Sequence, residues 1–198
     1  MGIGVLTGTK LVKILVIFAH GPFDRMKTLL AILSLFLFLP ALSGREVTVY
    51  KGGSRYASDI LCTVRDGKVY KGRSTYSSDI LLRIDGNDIY RKNSTYRSDI
   101  LLTVRNGAAY EGRSTYRSDI LWTIRDGCLY KGTSTYRSDI LATLRDGPAR
   151  NGSSRTSPTG REVFRGTSTY RSDLLFTLDG PLTLPEFLAV WYAVNYLY

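Results

Sequence analysis

The chain has 198 residues, of which 43% are hydrophobic, and a formal net charge of +10. This length allows one sizeable domain, and the hydrophobic content is ordinary for a globular protein. The single histidine, His20, lies near the N-terminus. The rest of the chain therefore lacks histidine, the commonest general base and metal ligand, and cannot use it in catalysis.

Residues 1–43 have the features of a targeting segment. From Met26 the chain reads MKTLLAILSLFLFLPALSG, with one lysine, a mostly apolar run and small residues before Gly44. This pattern predicts a secretory signal peptide over residues 26–43 and makes residues 1–25 an upstream extension. An uncleaved anchor or a buried helix is the alternative, although the apolar run is shorter than the roughly 20 residues that span a bilayer. We therefore expect a secreted or periplasmic protein, in which the chain from Gly44 keeps 23 basic and 16 acidic residues, a net charge of +7.

A 20-residue repeat occupies the chain from residue 44 to residue 181. The copies share the pattern VYKGxSTYRSDILxTVRDGx, and repetition at such a period is the signature of a repeat architecture. Residues 149–162 form a degenerate unit from which one strand has been deleted. The six recognisable copies begin at Val49, Val69, Ile89, Ala109, Leu129 and Val163.

Each copy predicts one β-hairpin. In the run after the aspartate, Ile100, Leu102 and Val104 share one face, whereas Leu101 and Thr103 point the other way. This period-two alternation predicts a strand, and the first face is expected to form the core. Asp-Gly or Asn-Gly pairs then supply the positive φ angles of a type I′ turn. These pairs begin at Asp66, Asp85, Asn106, Asp126 and Asp146.

The stretch GxSTYRSD follows the second strand of each copy. It is rich in short polar side chains that bond to nearby backbone, so it is expected to form the corner that joins one hairpin to the next. The array begins with a lone second strand, residues 46–52, and ends with a lone first strand, residues 173–180. Together these could form one more hairpin and close a ring, whereas a linear solenoid would need a cap at each end. The sequence therefore favours an all-β fold of tandem 20-residue hairpins closed into a radially pseudo-symmetric, flower-like or propeller-like array.

The C-terminal segment, residues 182–198, predicts a helix. Thr183 and Glu186 are spaced for a capping box, and Pro185 falls in the first turn. An apolar stripe on this helix is expected to pack on the repeat domain and cover one opening of the ring. A membrane-surface helix or a homo-oligomer contact is the alternative, and the first is weakened because the polar face carries no basic residue. The stripe comprises Phe187, Val190, Trp191, Val194 and Leu197.

The tandem VYKGxSTYRSDIL…TVRDG units, followed by LTLPEFLAVWYAVNYLY, resemble the small bacterial repeat proteins described as four-fold β-flower proteins. The resemblance covers about residues 46–198 and implies a closed, radially symmetric β-fold built from hairpin petals. It brings no catalytic residues with it. The chain departs from a four-fold plan, since it has six recognisable copies and one degenerate unit.

Two side chains of the corner motif are candidates for contact with a partner. Tyrosine offers a stacking face with a polar tip, and arginine offers a planar fork for carboxylates or phosphates. Repetition would give avidity for a polymer such as an acidic glycan or another cell-envelope polymer. Alternatively, the tyrosines pack between neighbouring hairpins and the arginines pair with Asp99, Asp119 and Asp139. The candidates are Tyr76, Tyr96, Tyr116, Tyr136, Tyr170, Arg97, Arg117, Arg137 and Arg171.

No catalytic, cofactor-binding or metal-binding residues emerge from the repeats. Serine, aspartate and tyrosine recur as turn chemistry in every copy, whereas an active site needs one asymmetric set of nucleophile, base and orienting group. We therefore predict a non-enzymatic structural or polymer-binding module, with a hydrolase as the least favoured alternative. A basic nucleic-acid-binding protein is the other alternative, although the signal peptide and the dispersed charge argue against it. Cys62 and Cys128 occupy different repeat positions and are expected to be free thiols, with Cys62 in the core.

Overall fold

The computed structural model describes residues 45–146 and 161–198. The predicted upstream extension, the signal peptide and most of the degenerate unit lie outside the described residues. Within them, twelve strands form one antiparallel sheet that closes into a barrel, and one α-helix follows the last strand. The strands are β1 (Glu46–Lys51), β2 (Ile60–Arg65), β3 (Lys68–Lys71), β4 (Ile80–Asp85), β5 (Asp88–Arg91), β6 (Ile100–Arg105), β7 (Ala108–Glu111), β8 (Ile120–Arg125), β9 (Cys128–Lys131), β10 (Ile140–Asp146), β11 (Arg161–Arg165) and β12 (Leu174–Leu178), and the helix is α1 (Leu184–Tyr196).

The barrel closes through its first and last strands. Val49 in β1 lies opposite Leu178 in β12, in the same register as Val69 opposite Val64 within the hairpin β2–β3. The two lone strands at the ends of the array therefore form a sixth hairpin, and the prediction of ring closure is confirmed. Every strand has two partners, so this barrel has no exposed edge.

Three of the five predicted hairpin turns have the expected geometry. Asp66, Asn106 and Asp126 have φ angles of 50°, 48° and 51°, and the glycine that follows each of them also has a positive φ. Two successive positive φ angles are what a type I′ turn requires. At these three positions the Asp-Gly or Asn-Gly pair was therefore sufficient to predict the turn type.

The turn predictions at Asp85 and Asp146 are wrong, because both residues lie in strands. Asp85 pairs with Asp88, so this hairpin turns at Gly86-Asn87, with a positive φ of 60° at the glycine and none at the asparagine. Glycine in the first central position is typical of a type II′ turn. Asp146 pairs with Arg161, so β10 and β11 are direct neighbours, and residues 147–160 connect them.

A β-bulge at the start of each first strand changes which side chains face the core. In β6, Ile100 lies opposite Tyr90 of β5, and Leu102 lies opposite Ile89. Leu101 therefore has no partner on β5. The extra residue shifts the alternation by one position. Leu101 therefore packs against the core, and Ile100 is buried outside it. The predicted core face is correct for Leu102 and Val104 and wrong for Ile100; the same register shift recurs at all six equivalent pairings.

Helix α1 lies inside the barrel and does not cover one of its openings. Leu188, Ala189 and Val190 are each 0% exposed, and successive helical residues point about 100° apart, so neighbours enclose the helix on all sides. The prediction of a cover packed through one apolar stripe is therefore wrong. None of the helices in the described part of the chain is long and apolar enough to cross a membrane.

The two ends of α1 lie at opposite ends of the barrel. Near its start, the Glu186 carboxylate is 3.3 Å from the guanidinium of Arg45, which precedes β1. After its end, the Tyr198 hydroxyl donates a hydrogen bond to the Leu61 carbonyl at the start of β2. Because β1 and β2 are antiparallel, these two contacts place the helix through the barrel from one end to the other. The predicted capping box is present, since the Thr183 amide donates to the Glu186 carboxylate at 2.7 Å.

The third residue of each first strand points into the barrel, and the side chains in this layer of six equivalent positions differ in size. A single helix inside the barrel has no six-fold symmetry, so it lies at different distances from the six repeats. The helix is nearest to β2, β3, β4 and β5. From strands farther around the barrel, Phe176 reaches Trp191 with a ring-centroid distance of 6.5 Å, and Trp122 reaches Tyr192 at 6.4 Å. Aromatic side chains from β8 and β12 thus reach the helix on either side of Ala142 in β10, the strand opposite β3 and β4. The six residues of this layer are Cys62, Leu82, Leu102, Trp122, Ala142 and Phe176.

Candidate functional site

All six corners lie at one end of the barrel. Successive strands are antiparallel, so the corners and the hairpin turns alternate between opposite ends. We call these the corner end and the turn end. Corners 1 to 6 are residues 52–59, 72–79, 92–99, 112–119, 132–139 and 166–173.

Serine and aspartate hold the backbone of each corner in one shape. In corner 3, the Ser94 hydroxyl donates to the Asp99 carboxylate at 2.5 Å and accepts the Tyr96 amide at 3.1 Å. The Asp99 amide donates to the Tyr96 carbonyl at 3.0 Å, which closes a single 3-10 turn over Arg97–Asp99. All six corners repeat these three bonds. The expected backbone role of the serine and aspartate is confirmed.

A threonine on the neighbouring strand fastens the entry to most corners. Thr103 in β6 donates to the Gly112 carbonyl at 2.8 Å, and Gly112 has a φ of 55°. Five corners have this bond, between 2.6 and 2.8 Å. Corner 3 is the exception, because Arg83 replaces the threonine and Lys92 replaces the glycine, at a φ of 51°.

The corner tyrosines are exposed, so they do not pack between hairpins. Their exposed fractions lie between 73% and 77%. The packing alternative is therefore wrong for each of them. Tyr56 in corner 1 belongs to the same set, although it was not among the predicted candidates. The motif SRYASDIL could have identified it, because its tyrosine occupies the same position as the tyrosine of STYRSDIL. The set is Tyr56, Tyr76, Tyr96, Tyr116, Tyr136 and Tyr170.

The corner arginines are also exposed, and the structure does not form their expected pairs with the corner aspartates. In the described residues, the ion pairs involve Arg45, Arg55, Arg65 and Arg83, none of which is a candidate arginine. The corner aspartates are bonded to serine instead. The arginines that follow the corner tyrosines are Arg97, Arg117, Arg137 and Arg171.

The corner end carries most of the positive charge of the described residues. The six corners, each taken with the residue before it, contain thirteen basic and seven acidic side chains, a net charge of +6. The remaining described residues contain eight basic and nine acidic side chains, a net charge of −1. The corner end therefore presents exposed aromatic rings within a positive field, a combination that suits a polyanion.

The C-terminus of the chain adds further aromatic surface at the corner end. Tyr196 and Tyr198 are 60% and 54% exposed. The Tyr196 ring stacks on Tyr192 with a centroid distance of 5.2 Å and lies 5.8 Å from Trp122. Tyr198 accepts the Gly72 amide at 3.4 Å, which ties the end of the chain to corner 2.

Titratable groups in the described residues form no metal site and show few unusual environments. No three His, Cys, Asp or Glu side chains in residues 45–146 and 161–198 are close enough to hold a metal ion. Hydrogen bonds from Ser114 and then Ser118 hold the pKa of the Asp119 carboxyl below its ordinary value. Burial raises the pKa of the Cys62 thiol to about 12. Cys62 and Cys128 are both free, as expected.

Comparison with known families identifies the architecture. A family model described as "6-fold beta flower protein" matches residues 49–160 and, in a second overlapping match, residues 87–191. The chain belongs to the six-fold β-flower family. The expected resemblance to four-fold proteins had the right kind of family and the wrong repeat number, because the lone terminal strands complete a sixth hairpin. No curated protein and no solved structure matches this β-flower protein.

Proposed function

We propose that this protein is a non-enzymatic, secreted or periplasmic binding module whose corner end binds an acidic glycan of the cell envelope. Each hairpin and its corner act as one petal of a radially pseudo-symmetric flower, and each of the six petals presents an exposed tyrosine to a polymer. The observation that carries the proposal is the exposure of all six corner tyrosines, at 73% to 77%, on corners whose backbone is already held by serine and aspartate.

This exposure supports binding because it has no structural explanation. A large aromatic side chain at the surface stabilises a fold when it packs, and these tyrosines pack little. A corner built from Ser94 and Asp99 would keep its hydrogen bonds with almost any residue at position 96, since only the Tyr96 backbone takes part in them. Six copies of an aromatic ring that the fold does not need are best explained by a partner.

The positive charge of the corner end supports an anionic partner. Guanidinium groups bind carboxylates through paired hydrogen bonds, and tyrosine rings stack on the apolar faces of flat or ring-shaped groups. An acidic glycan offers both a carboxylate and a sugar ring in each unit. A chain of such units could contact several corners at once, which would raise its affinity through avidity.

A pull-down on immobilised polygalacturonate, with peptidoglycan and neutral dextran in parallel, tests the proposal. The test variant is Arg97→Ala/Arg117→Ala/Arg137→Ala at the corner end. The matched control is Arg105→Ala/Arg125→Ala/Arg145→Ala, which removes the same charge from the same three repeats at the turn end. We expect retention of the wild type and the control on polygalacturonate, loss of most retention in the test variant, and release by salt.

Other outcomes have defined meanings. Equal loss in both variants would show that only net charge matters, and no retention on any glycan would leave a structural role. Retention on double-stranded DNA at physiological salt, with none on glycans, would favour the nucleic-acid alternative. Mass spectrometry of the purified protein checks its location: we expect a chain that begins at Gly44, and an intact Met1 in a cytoplasmic fraction would contradict secretion.

A further inference from the structure

The tyrosine-arginine pairs at the corner end are distributed unevenly around the ring. Corners 3 to 6 carry an exposed arginine directly after the tyrosine. Corners 1 and 2 carry Ala57 and Ser77 at that position, both exposed. Because the strands pair in chain order, corners 3 to 6 lie side by side in the ring, and corners 1 and 2 occupy the remaining side. We call corners 3 to 6 the arc.

The two corners outside the arc do not compensate for the missing arginines. Corner 1 has Arg55 just before its tyrosine, but this guanidinium forms an ion pair with the Asp179 carboxylate at 3.4 Å. Corner 2 has Arg73 near its start, three residues before its tyrosine. Neither corner presents a tyrosine followed by an arginine, so the repeated pair is confined to one side of the ring.

The spacing of the corners determines what size of ligand can contact more than one of them. Neighbouring corners are two strands apart, and strands lie about 4.8 Å apart, so adjacent corners are separated by at least about 10 Å. A single sugar acid therefore contacts one corner only. A chain that follows the ring from corner 3 through corners 4 and 5 to corner 6 must have a contour length of at least about 30 Å, which is three such spacings.

We propose that the arc is one continuous series of subsites for a linear polyuronate chain, in which sugar acids spaced along the chain, rather than directly consecutive ones, contact successive corners. This inference rests on the proposed function and adds the ligand class and the part of the ring that it contacts. In each subsite the arginine binds a carboxylate and the tyrosine stacks on a sugar ring. Affinity then rises with chain length until the chain spans the arc, because each further contact is intramolecular.

A gain-of-function variant tests the arc most sharply. Ser77→Arg gives corner 2 the same tyrosine-arginine pair as corner 3 and extends the arc from four corners to five. The matched control is Asn87→Arg, which adds the same charge at an exposed position of the turn end. Tighter binding cannot result from a folding defect, so this comparison stays decisive whatever the other variants do.

Loss-of-function variants complement the Ser77→Arg variant. Tyr116→Ser/Arg117→Ser removes both contacts from corner 4 and splits the arc, whereas Arg125→Ser removes one arginine from the turn end of the same repeat. We expect the split arc to weaken binding of a long chain by roughly 10- to 100-fold and Arg125→Ser to leave it within about twofold.

The assay is calorimetric titration with galacturonic acid, a short oligomer and an oligomer at least about 40 Å long, which can follow the ring over five corners. We expect affinity to rise with length, and Ser77→Arg to bind only the longest chain more tightly, by roughly 3- to 10-fold. Affinity that does not depend on length, or equal effects of Ser77→Arg and Asn87→Arg, would overturn the arc while leaving glycan binding in place. Failure of every oligomer and of the polymer to bind would overturn both proposals.

Discussion

Lys92 holds a backbone conformation that the other five corners assign to glycine. Its φ is 51°, and the equivalent glycines have φ angles of 53° to 55°. A left-handed backbone costs a residue with a Cβ roughly 1–2 kcal/mol. Glycine avoids that strain, but it loses about 0.5–1 kcal/mol through its greater freedom in the unfolded chain. Lys92→Gly should therefore stabilise the protein by about 0.5–1 kcal/mol.

Thermal unfolding followed by circular dichroism measures this effect. For a domain of this size, the expected gain corresponds to a rise in melting temperature of about 1–4 °C. Lys92→Ala is the control for charge, because it removes the ammonium group and keeps the strain, so its melting temperature should change little. Gly112→Lys is the reverse change, and it should lower the melting temperature by a similar amount.

The reverse variant isolates backbone strain because the site has room for a side chain. A Cβ on Gly112 would meet its nearest neighbour, the Ile100 carbonyl oxygen, at 3.8 Å, which is an ordinary contact. If Lys92→Gly were no more stable than Lys92→Ala, or if Gly112→Lys cost nothing, the strain argument would be refuted.

Three further predictions concern the acid stability, the thiols and the helix. The pKa of Asp119 is lowered, so the stability that its carboxylate contributes is complete above the ordinary carboxyl pKa of 3.8 and is lost as the pH falls through the folded-state pKa. Ser114→Ala should raise the Asp119 pKa in a carboxyl NMR titration and reduce this loss of stability in acid. An unchanged pKa would contradict the role of Ser114. Because burial raises the Cys62 pKa to about 12, a thiol reagent should label Cys128 in the native protein and Cys62 only after unfolding; equal labelling rates in the native state would be inconsistent with a buried Cys62. Leu188→Ala should cost about 2–5 kcal/mol in urea unfolding, whereas Leu197→Ala, at a residue 44% exposed, should cost less than about 1 kcal/mol; a small cost at Leu188 would argue against a helix inside the barrel.

Features that depend on neighbours in the chain were predictable from the sequence. The period of 20 residues, the tight turns at Asp66, Asn106 and Asp126, and the capping box at Thr183 all follow from local backbone preferences. Ring closure was also predictable, because the two lone strands at the ends had complementary roles. The serine and aspartate of each corner bond only within their own loop, so their role could be inferred from their residue types.

Features that depend on contacts across the barrel were not predictable. The bulge at Leu101 arises from pairing with the neighbouring strand, and it moved Ile100 out of the core against a clear alternation. The position of α1 depends on the width of the closed barrel, which no single repeat encodes. Packing of the corner tyrosines and pairing of the arginines were reasonable expectations, and only the arrangement of the corners around the ring excluded them.

The sequence by itself thus determined the repeating hairpin and the shape of its corner, because these rest on turns and alternation within about 20 residues. It also predicted closure of the array, because the lone strands at its two ends are complementary halves of one hairpin. The tertiary structure alone decided that the helix lies within the barrel and that all six tyrosines are exposed at one end of it. The reason is that exposure and adjacency are properties of the closed ring, in which residues far apart in the chain become neighbours.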